Sequence, residues 1–149
     1  MELGAGGAGR ERKAGVVLFA HGSRLAGAND HVRALAARLR AGGTFPICEA
    51  AFLELASPAL PEAVAACVAQ GAERVVVVPY FLALGRHVAE DLPALLDASR
   101  RALGPAGAHL PIEVTDFVGN HPVIVDVIRR LVEEGPRLAL PTAPAGGGG

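Results

Sequence analysis

The chain has 149 residues, of which 14 are basic and 15 acidic, and 51% are hydrophobic. This length suits one domain with its own core, and the balanced charge excludes a strongly basic surface for nucleic acid or an anionic membrane. No apolar stretch approaches the roughly 20 residues of a membrane-spanning helix, and the start of the chain lacks the apolar centre of a signal peptide. We therefore expect a soluble, cytoplasmic protein without nucleic-acid or membrane partners.

Both ends of the chain lack hydrophobic periodicity. Residues 1–13 are Gly-rich and charged, and residues 136–149 consist mostly of Pro, Ala and Gly. Segments of this composition cannot bury enough apolar surface to fold on their own. We expect two disordered tails around a single α/β domain that covers residues 14–135.

Between the tails, an apolar strand followed by an amphipathic helix recurs four times. The predicted strands cover residues 15–20, 47–54, 74–82 and 112–118. The first predicted helix covers residues 28–41, and the last covers residues 122–134. The second starts at Pro58 to Pro61 and stops at Gly71. The third starts near Asp91 and Leu92, because Pro93 suits only the first turn of a helix. Alternating units of this kind call for right-handed crossovers and a parallel sheet with helices on both faces.

The third strand and the last helix carry specific predictions of burial. The run of four valines at 75–78 has no polar alternation, which is typical of a central parallel strand that is covered on both faces. The last helix is expected to bury Val123, Val127, Ile128 and Leu131 on one side. Cys48 in the second strand and Cys67 in the second helix form no CxxC pair, and we expect both to be buried free thiols.

Two histidines and a glutamate follow the ends of strongly apolar runs at equal spacing. His21, Glu54 and His87 are separated by 54 − 21 = 33 and 87 − 54 = 33 residues, about one strand–helix repeat. The carboxyl ends of parallel strands form the edge at which open sheets bind ligands. Two imidazoles and a carboxylate that meet there suit a divalent transition metal such as Co2+, Fe2+, Ni2+ or Zn2+. The sequence thus predicts a metal site at this edge.

The residues around His21 and Glu54 leave alternatives open. Ser23 could cap backbone N–H groups or orient the imidazole of His21. A carboxylate within the apolar surroundings of Glu54 is costly to bury without a partner. It either binds the metal or forms an ion pair with Arg24 or Arg86.

The loop before His87 is apolar, at residues 82–86, and would suit a wall against a flat hydrophobic ligand. Asp91 either accepts a hydrogen bond that orients His87 or is a charge near the helix start. His121 follows the fourth strand, and we expect it to help start the last helix, with a role in the site as the alternative.

Four motifs in fixed order resemble the small, single-domain class II chelatases, namely the sirohydrochlorin cobaltochelatases and their ferrochelatase relatives. They are HGSR at 21–24, FLELASP at 52–58, VVVVPYFLALGRHV at 75–88 and DLP at 91–93. The resemblance implies a flavodoxin-like, three-layer α/β sandwich that inserts Co2+, or in relatives Fe2+ or Ni2+, into sirohydrochlorin or a close precursor, as in cobalamin or siroheme biosynthesis. Larger members hold the tetrapyrrole between two such domains, so a one-domain chain is expected to form a homodimer.

The same resemblance implies roles for individual residues. His21 matches the family's proton acceptor and metal ligand, His87 its second metal ligand, and Glu54 an acid that assists metal delivery or proton removal. Expected substrate contacts come from Ser23, Arg24, Ser57, Leu82, Ala83, Leu84, Gly85 and Arg86. The divalent metal is a substrate, and no organic cofactor is expected.

Three other functions compete with metal insertion. A carrier of metal or tetrapyrrole could use the same residues without turnover. A histidine phosphatase would need an arginine before the histidine, where Ala20 stands. A flavodoxin-like nucleotide binder would need a glycine-rich phosphate loop, and no GxGxxG follows the first strand.

Overall fold

A computed structural model describes residues 12–136 of the chain. Within these residues the strands are β1 (Ala14–Ala20), β2 (Cys48–Phe52), β3 (Arg74–Pro79) and β4 (Ile112–Val114). The α-helices are α1 (Ala26–Ala41), α2 (Leu60–Ala69), α3 (Arg86–Ala102) and α4 (Val123–Glu134), and short 3-10 helices cover Gly104–His109 and Val118–Asn120. Apart from residues 12, 13 and 136, the predicted tails lie outside the described residues. The domain bounds of 14–135 stay a prediction.

The strands form one parallel sheet in the order β2-β1-β3-β4. Right-handed crossovers place α1 on one face and α2 and α3 on the other. Val32 and Ala36 of α1 pack against one side of β1 and β2, whereas Val64 of α2 and Leu92 of α3 pack with the opposite side. The predicted three-layer α/β fold with helices on both faces of a four-stranded parallel sheet is confirmed.

The prediction that β3 is covered on both faces is wrong for the described chain. β3 lies between β1 and β4, as expected for a central strand. Val75 and Val77 are fully buried under α2 and α3. Val76 and Val78 point to the other face and are only half-buried, because α1 covers β1 and β2 and no described helix closes over β3 on that side.

The burial predicted for α4 is also wrong. Val123, Val127, Ile128 and Leu131 are 43% to 62% exposed, and none of the residues of α4 is buried. The helix packs against the short 3-10 helix Val118–Asn120 instead of over the sheet. Its amphipathic sequence therefore marks an apolar surface that residues 12–136 leave uncovered.

Three predicted strands extend too far, and α3 begins earlier than predicted. β2, β3 and β4 end before the apolar sequence does, because the apolar run continues into loops at the carboxyl edge of the sheet. α3 begins at Arg86 instead of near Asp91 and contains Pro93. Pro93 is on the exposed side of α3, where the helix can bend away from the proline ring, while Val88 and Leu92 pack against the core. Packing therefore overrides the local preference against proline.

Cys48 and Cys67 are buried free thiols, as predicted. Burial raises the pKa of Cys48 from 9.0 to about 11, against an opposing effect of Arg40. Burial, with a smaller contribution from Glu49, raises the pKa of Cys67 from 9.0 to about 12. Both side chains are therefore held as neutral thiols and are poor nucleophiles in the folded protein.

The stability of the fold should decline above pH 9 through these two thiols. An unfolded thiol ionises near 9.0 and the folded ones near 11 and 12, so their contribution is complete below pH 9 and is lost as the pH rises through that window. Urea unfolding at pH 8 and pH 10.5 should show a larger loss for the native sequence than for a C48A/C67A variant. Equal losses in the two proteins would contradict this assignment.

Candidate active site

The carboxyl ends of β2, β1 and β3 lie side by side and carry the residues singled out in the sequence. His21 directly follows β1, and Glu54 comes two residues after β2. The loop after β3 leads into α3, whose second residue is His87. Because the strands are parallel neighbours, these segments share one edge of the sheet.

His21 and Glu54 are brought together by the backbone. The N–H of Leu53 donates to the carbonyl oxygen of Ala20 at 2.9 Å, and the N–H of Glu54 donates to that of His21 at 3.0 Å. These bonds extend the pairing of β1 with β2 beyond the strand ends. The Nε2 atom of His21 lies 3.6 Å from Oε1 of Glu54, with the two side chains 54% and 56% exposed. Because both side chains are exposed, the pair contributes little to stability and is accessible to a ligand.

The hydrogen bond of the His21 ring to the backbone leaves Nε2, the nitrogen that faces Glu54, as an acceptor. Nδ1 lies 3.2 Å from the carbonyl oxygen of Gly22, which can only accept. In the neutral imidazole the proton is therefore on Nδ1, and Nε2 keeps its lone pair on the side of Glu54. A backbone oxygen that holds Nδ1–H in this way is the usual arrangement behind a metal-binding histidine.

Gly22 makes this approach possible. Its φ of 93° lies in the left-handed region, and a Cβ at this position would overlap the carbonyl oxygen of Glu54. Glycine is the residue that tolerates both conditions. The loops that follow β1 and β2 are therefore in close contact at Gly22.

A buried asparagine, Asn29, holds the loop that follows His21, and it was not among the residues predicted for the site. The N–H of Ser23 donates to Oδ1 of Asn29 at 2.9 Å, and Nδ2 of Asn29 donates to the carbonyl oxygen of Ser23 at 2.7 Å. The hydroxyl of Ser23 accepts from the N–H of Leu25 at 3.0 Å. A polar residue in the first turn of α1, on the side of buried Val32, was the available signal.

Replacing Asn29 by alanine should destabilise the protein by about 1–3 kcal/mol, because the backbone groups of Ser23 lose their partners. Asp30→Ala is the matched control, since its ion pair with Arg33 is exposed, and it should change stability by less than about 0.5 kcal/mol. Urea unfolding of both variants measures the difference. Equal effects would show that Asn29 does not hold the loop.

Three exposed leucines lie on this edge of the sheet. Leu25, Leu55 and Leu82 follow β1, β2 and β3, and they are 73%, 56% and 77% exposed. Leu82 was expected to contact a ligand, whereas Leu25 and Leu55 were not singled out. Leu55 has a φ of 64°, a left-handed conformation that costs a residue with a Cβ about 1–2 kcal/mol. Strain of this kind concentrates at functional sites.

His87 does not complete a three-ligand group with His21 and Glu54. Within residues 12–136, no three His, Cys, Asp or Glu side chains lie close enough together to hold a metal ion. His87 and Asp91 are both exposed on α3, and no hydrogen bond joins them. Of the three side chains expected to lie together, the structure therefore brings His21 and Glu54 close to each other, and their role as metal ligands stays a prediction.

The two arginines near the edge differ in their partners. Arg86 pairs with Glu90 at 2.8 Å. The alternative in which Arg86 forms an ion pair with Glu54 is therefore not observed. Arg24 is exposed and forms no ion pair within residues 12–136. Ser57 is exposed and accepts a hydrogen bond from Arg33 through its carbonyl oxygen.

His121 has a structural role at the start of α4. Its Nδ1 accepts a hydrogen bond from the N–H of Val123 at 3.1 Å, which satisfies one of the free donors of a helix start. The expected helix-start role is confirmed.

The fold is a parallel α/β sheet whose carboxyl edge carries an exposed imidazole–carboxylate pair, and open sheets of this kind bind ligands at that edge. The sequence profile described as CbiX matches residues 15–135. The chain belongs to the CbiX family.

Named relatives fall into two length classes. The chain is 33% identical to the sirohydrochlorin cobaltochelatase of Methanothermobacter thermautotrophicus, covering 81% of this chain and 92% of that protein. It is 34% identical to the chloroplastic sirohydrochlorin ferrochelatase of Arabidopsis thaliana, covering 80% of this chain and 51% of the relative. The crystal structure of the sirohydrochlorin chelatase SirB from Bacillus subtilis in complex with cobalt matches with a TM-score of 0.67 and 27% identity, over 82% of this chain and 50% of SirB. The chain thus spans about half the length of several relatives.

Proposed function

We propose that this protein inserts a divalent metal ion into sirohydrochlorin or a close tetrapyrrole precursor. Co2+ is the first candidate, with Fe2+ and Ni2+ as alternatives, because nitrogen and oxygen ligands bind all three. The proposal is supported by the relatives named for cobalt and iron insertion. The metal is a substrate in this reaction, and the proposal needs no organic cofactor.

The observation that carries the proposal is the spacing of His21 and Glu54. The usual distance from a metal ion to such ligands is about 2.1 Å. An ion at that distance from both His21 Nε2 and Glu54 Oε1, which lie 3.6 Å apart, would have an Nε2–metal–Oε1 angle of about 120°. One ion can therefore bind both atoms without movement of either loop. Two protein ligands leave coordination positions open for water and for the ring nitrogens, which suits an ion that must be released.

The proton chemistry also suits this pair. Metal insertion removes two N–H protons from the tetrapyrrole and exchanges the waters of the metal for four ring nitrogens. The Nε2 lone pair of His21 and the carboxylate of Glu54 are acceptors that can take up these protons as the ion leaves them. His21 then acts first as a ligand and afterwards as a base.

His87 is proposed as a second histidine ligand that meets the ion from the other side of the edge. It is exposed in the first turn of α3, next to the loop that follows β3. Asp91, one turn further on, is proposed to orient its ring once the metal binds. These two roles rest on the family resemblance and the shared edge of the sheet.

The tetrapyrrole is proposed to lie over the exposed leucines. Leu25, Leu55 and Leu82 would lose contact with water beneath a flat macrocycle. The carboxylates at the rim of the ring would bind Arg24, which has no described partner, and Arg86, which would exchange its pairing with Glu90. Further proposed contacts are Ser23, Ser57, Ala83, Leu84 and Gly85.

The partner of the chain is proposed to be a second copy. Two relatives contain about twice the length of this unit, while the methanogen enzyme contains it once. Within residues 12–136, no helix is long and apolar enough to cross a membrane. The cytoplasmic location stays a prediction from the sequence.

An enzyme and a carrier differ in how many tetrapyrrole molecules each protein molecule converts. Purified protein at one-twentieth of the concentration of sirohydrochlorin, with Co2+ in excess, should convert the tetrapyrrole absorption spectrum completely and faster than Co2+ alone. A carrier would accelerate the change for one equivalent only, and that result would overturn the proposal. Repeating the assay with Fe2+ and Ni2+ identifies the preferred metal.

A further inference from the structure

Arg33 of α1 binds the loop that carries Glu54, and it was not among the residues predicted for the site. Its Nη2 donates to the carbonyl oxygen of Ser57 at 2.8 Å, and its Nη1 donates to Oδ1 of Asp30 at 2.8 Å. The guanidinium carbon lies 5.0 Å from the centroid of the Phe52 ring, a distance at which a cation and an aromatic face attract each other. One side chain therefore connects α1 with both ends of the loop after β2.

The loop of residues 53–57 is closed at its base by the backbone. The N–H of Phe52 donates to the carbonyl oxygen of Pro58 at 2.9 Å, so the chain returns to the end of β2 within these few residues. Ser57 is the last residue of the loop and directly precedes Pro58. Because the loop is short and its ends are joined, the position of Ser57 restricts the position of Glu54.

The two sides of the loop are held by different elements. On the side of β1, the N–H of Glu54 donates to the carbonyl oxygen of His21 at 3.0 Å. On the side of α1, Arg33 holds the carbonyl oxygen of Ser57. Between these contacts, Leu55 has a φ of 64°, a left-handed conformation that persists only where the surrounding structure imposes it. The contact with Arg33 is part of that surrounding structure.

We propose that Arg33 is a positioning residue for Glu54. It fixes the loop through Ser57 and thereby keeps the carboxylate of Glu54 at the 3.6 Å from His21 that one metal ion can bridge. Groups that orient a metal ligand without touching the metal contribute about 10–100-fold to metal affinity. The inference rests on the proposed function for the identity of the ligand as a metal ion, whereas the contacts of Arg33 are independent of it.

The charge of Arg33 would by itself have the opposite effect on metal binding. A cation repels a divalent metal ion, so the loss of this charge alone would strengthen binding or leave it unchanged. A positioning role predicts weaker binding, because the carboxylate of Glu54 loses its fixed place beside His21. The sign of the change in Co2+ affinity therefore separates the two roles.

Arg33→Met tests the positioning role, because methionine keeps an apolar stem over Phe52 and removes both hydrogen bonds. Titration of the full chain with Co2+ alone, followed by the visible absorption of the bound ion, should show binding about 10-fold weaker than in the native protein. Arg38→Met is the matched control, since it removes the same charge from another exposed position of α1, and its Co2+ affinity should stay within about twofold of the native value. Circular dichroism should show equal helix content in all three proteins, because the side chain of Arg33 is 44% exposed.

The same substitution in a Glu54→Gln background shows whether Arg33 acts through Glu54. Arg33→Met should lower the rate of metal insertion by about 10-fold in the native sequence but by less than about twofold in the Glu54→Gln protein. A positioning residue has little left to position once the carboxylate is gone. A general loss of stability would instead lower the rate by the same factor in both backgrounds, and that result would overturn the inference.

Co2+ binding by Arg33→Met as tight as in the native protein, or tighter, would overturn it as well. Arg33→Gln, whose side chain is too short to reach Ser57 as arginine does, should repeat the results of Arg33→Met. The two assays separate the inference from the proposed function. Native protein that binds Co2+ without inserting it would reject the function, while weaker Co2+ binding by Arg33→Met would still support the positioning role. Normal insertion by both Arg33 variants would reject the positioning role alone.

Discussion

His21→Ala is expected to lower the rate of metal insertion by about 100-fold or more, because the protein loses a metal ligand and an acid–base group in one step. Glu54→Gln keeps the size of the side chain but removes its charge, and should lower the rate by about 10–100-fold. Both variants should unfold within about 1 kcal/mol of the native protein, since the pair is exposed. The rate is measured from the absorption change of sirohydrochlorin with Co2+.

His109→Ala is the matched control for His21→Ala. His109 is an exposed histidine in the 3-10 helix before β4, away from the carboxyl edge of the sheet. Its loss should leave the rate within twofold of the native value. If His21→Ala retained full activity while it remained folded, the imidazole of His21 would not take part in the reaction.

Gly22→Ala is expected to abolish insertion and to destabilise the fold by more than about 2 kcal/mol. The added Cβ would overlap the carbonyl oxygen of Glu54, and alanine would also have to adopt the left-handed conformation at an additional cost of about 1–2 kcal/mol. The loops that carry His21 and Glu54 would have to separate, and the metal-sized gap between the side chains would widen.

Gly27→Ala is the matched control for Gly22→Ala, and it is expected to leave both stability and activity intact. Gly27 lies in α1, and a Cβ there would meet nothing within 4 Å. Helix propensity favours alanine by up to about 1 kcal/mol at such a position, so this variant should be slightly more stable and fully active. If Gly22→Ala behaved like Gly27→Ala in urea unfolding and in the insertion assay, the close contact of the two loops would contribute neither to stability nor to metal insertion.

Most of the fold could be predicted because its signals are local and periodic. Each βα unit has its own apolar strand and amphipathic helix, and chain direction with right-handed crossovers then limits the topology. The strand ends were placed too late at β2, β3 and β4, because an apolar run does not reveal where strand pairing stops and an apolar loop begins. The loops in question carry Leu55 and Leu82 at the edge of the site.

The errors at α4 and β3 have a common physical origin. Hydrophobic periodicity reports that a side chain is to be covered, and it does not report which chain provides the cover. Val127 and Leu131 satisfy the pattern of a buried helix face and are exposed in the single chain. The failure of the prediction is thus informative, since it marks an apolar surface that the described residues leave uncovered.

The proximity of His21 and Glu54 could be predicted from the order of strands and helices, whereas the positions of His87 and Asn29 could not. His21 and Glu54 are one repeat apart and follow the ends of neighbouring strands, where the backbone brings their side chains together. His87 is reached only after a loop and the first residue of α3, so its distance from the pair depends on loop geometry that spacing does not encode. Asn29 was missed because its importance lies in two hydrogen bonds to the backbone of Ser23.

The most direct test is a crystal structure of the protein soaked with Co2+, with the ion located by its anomalous scattering. We expect one ion about 2.0–2.2 Å from Nε2 of His21 and from an oxygen of Glu54, with its remaining positions filled by water or by His87. An ion bound elsewhere, with no density between His21 and Glu54 at saturating Co2+, would contradict the assignment of this pair as the metal-delivery site.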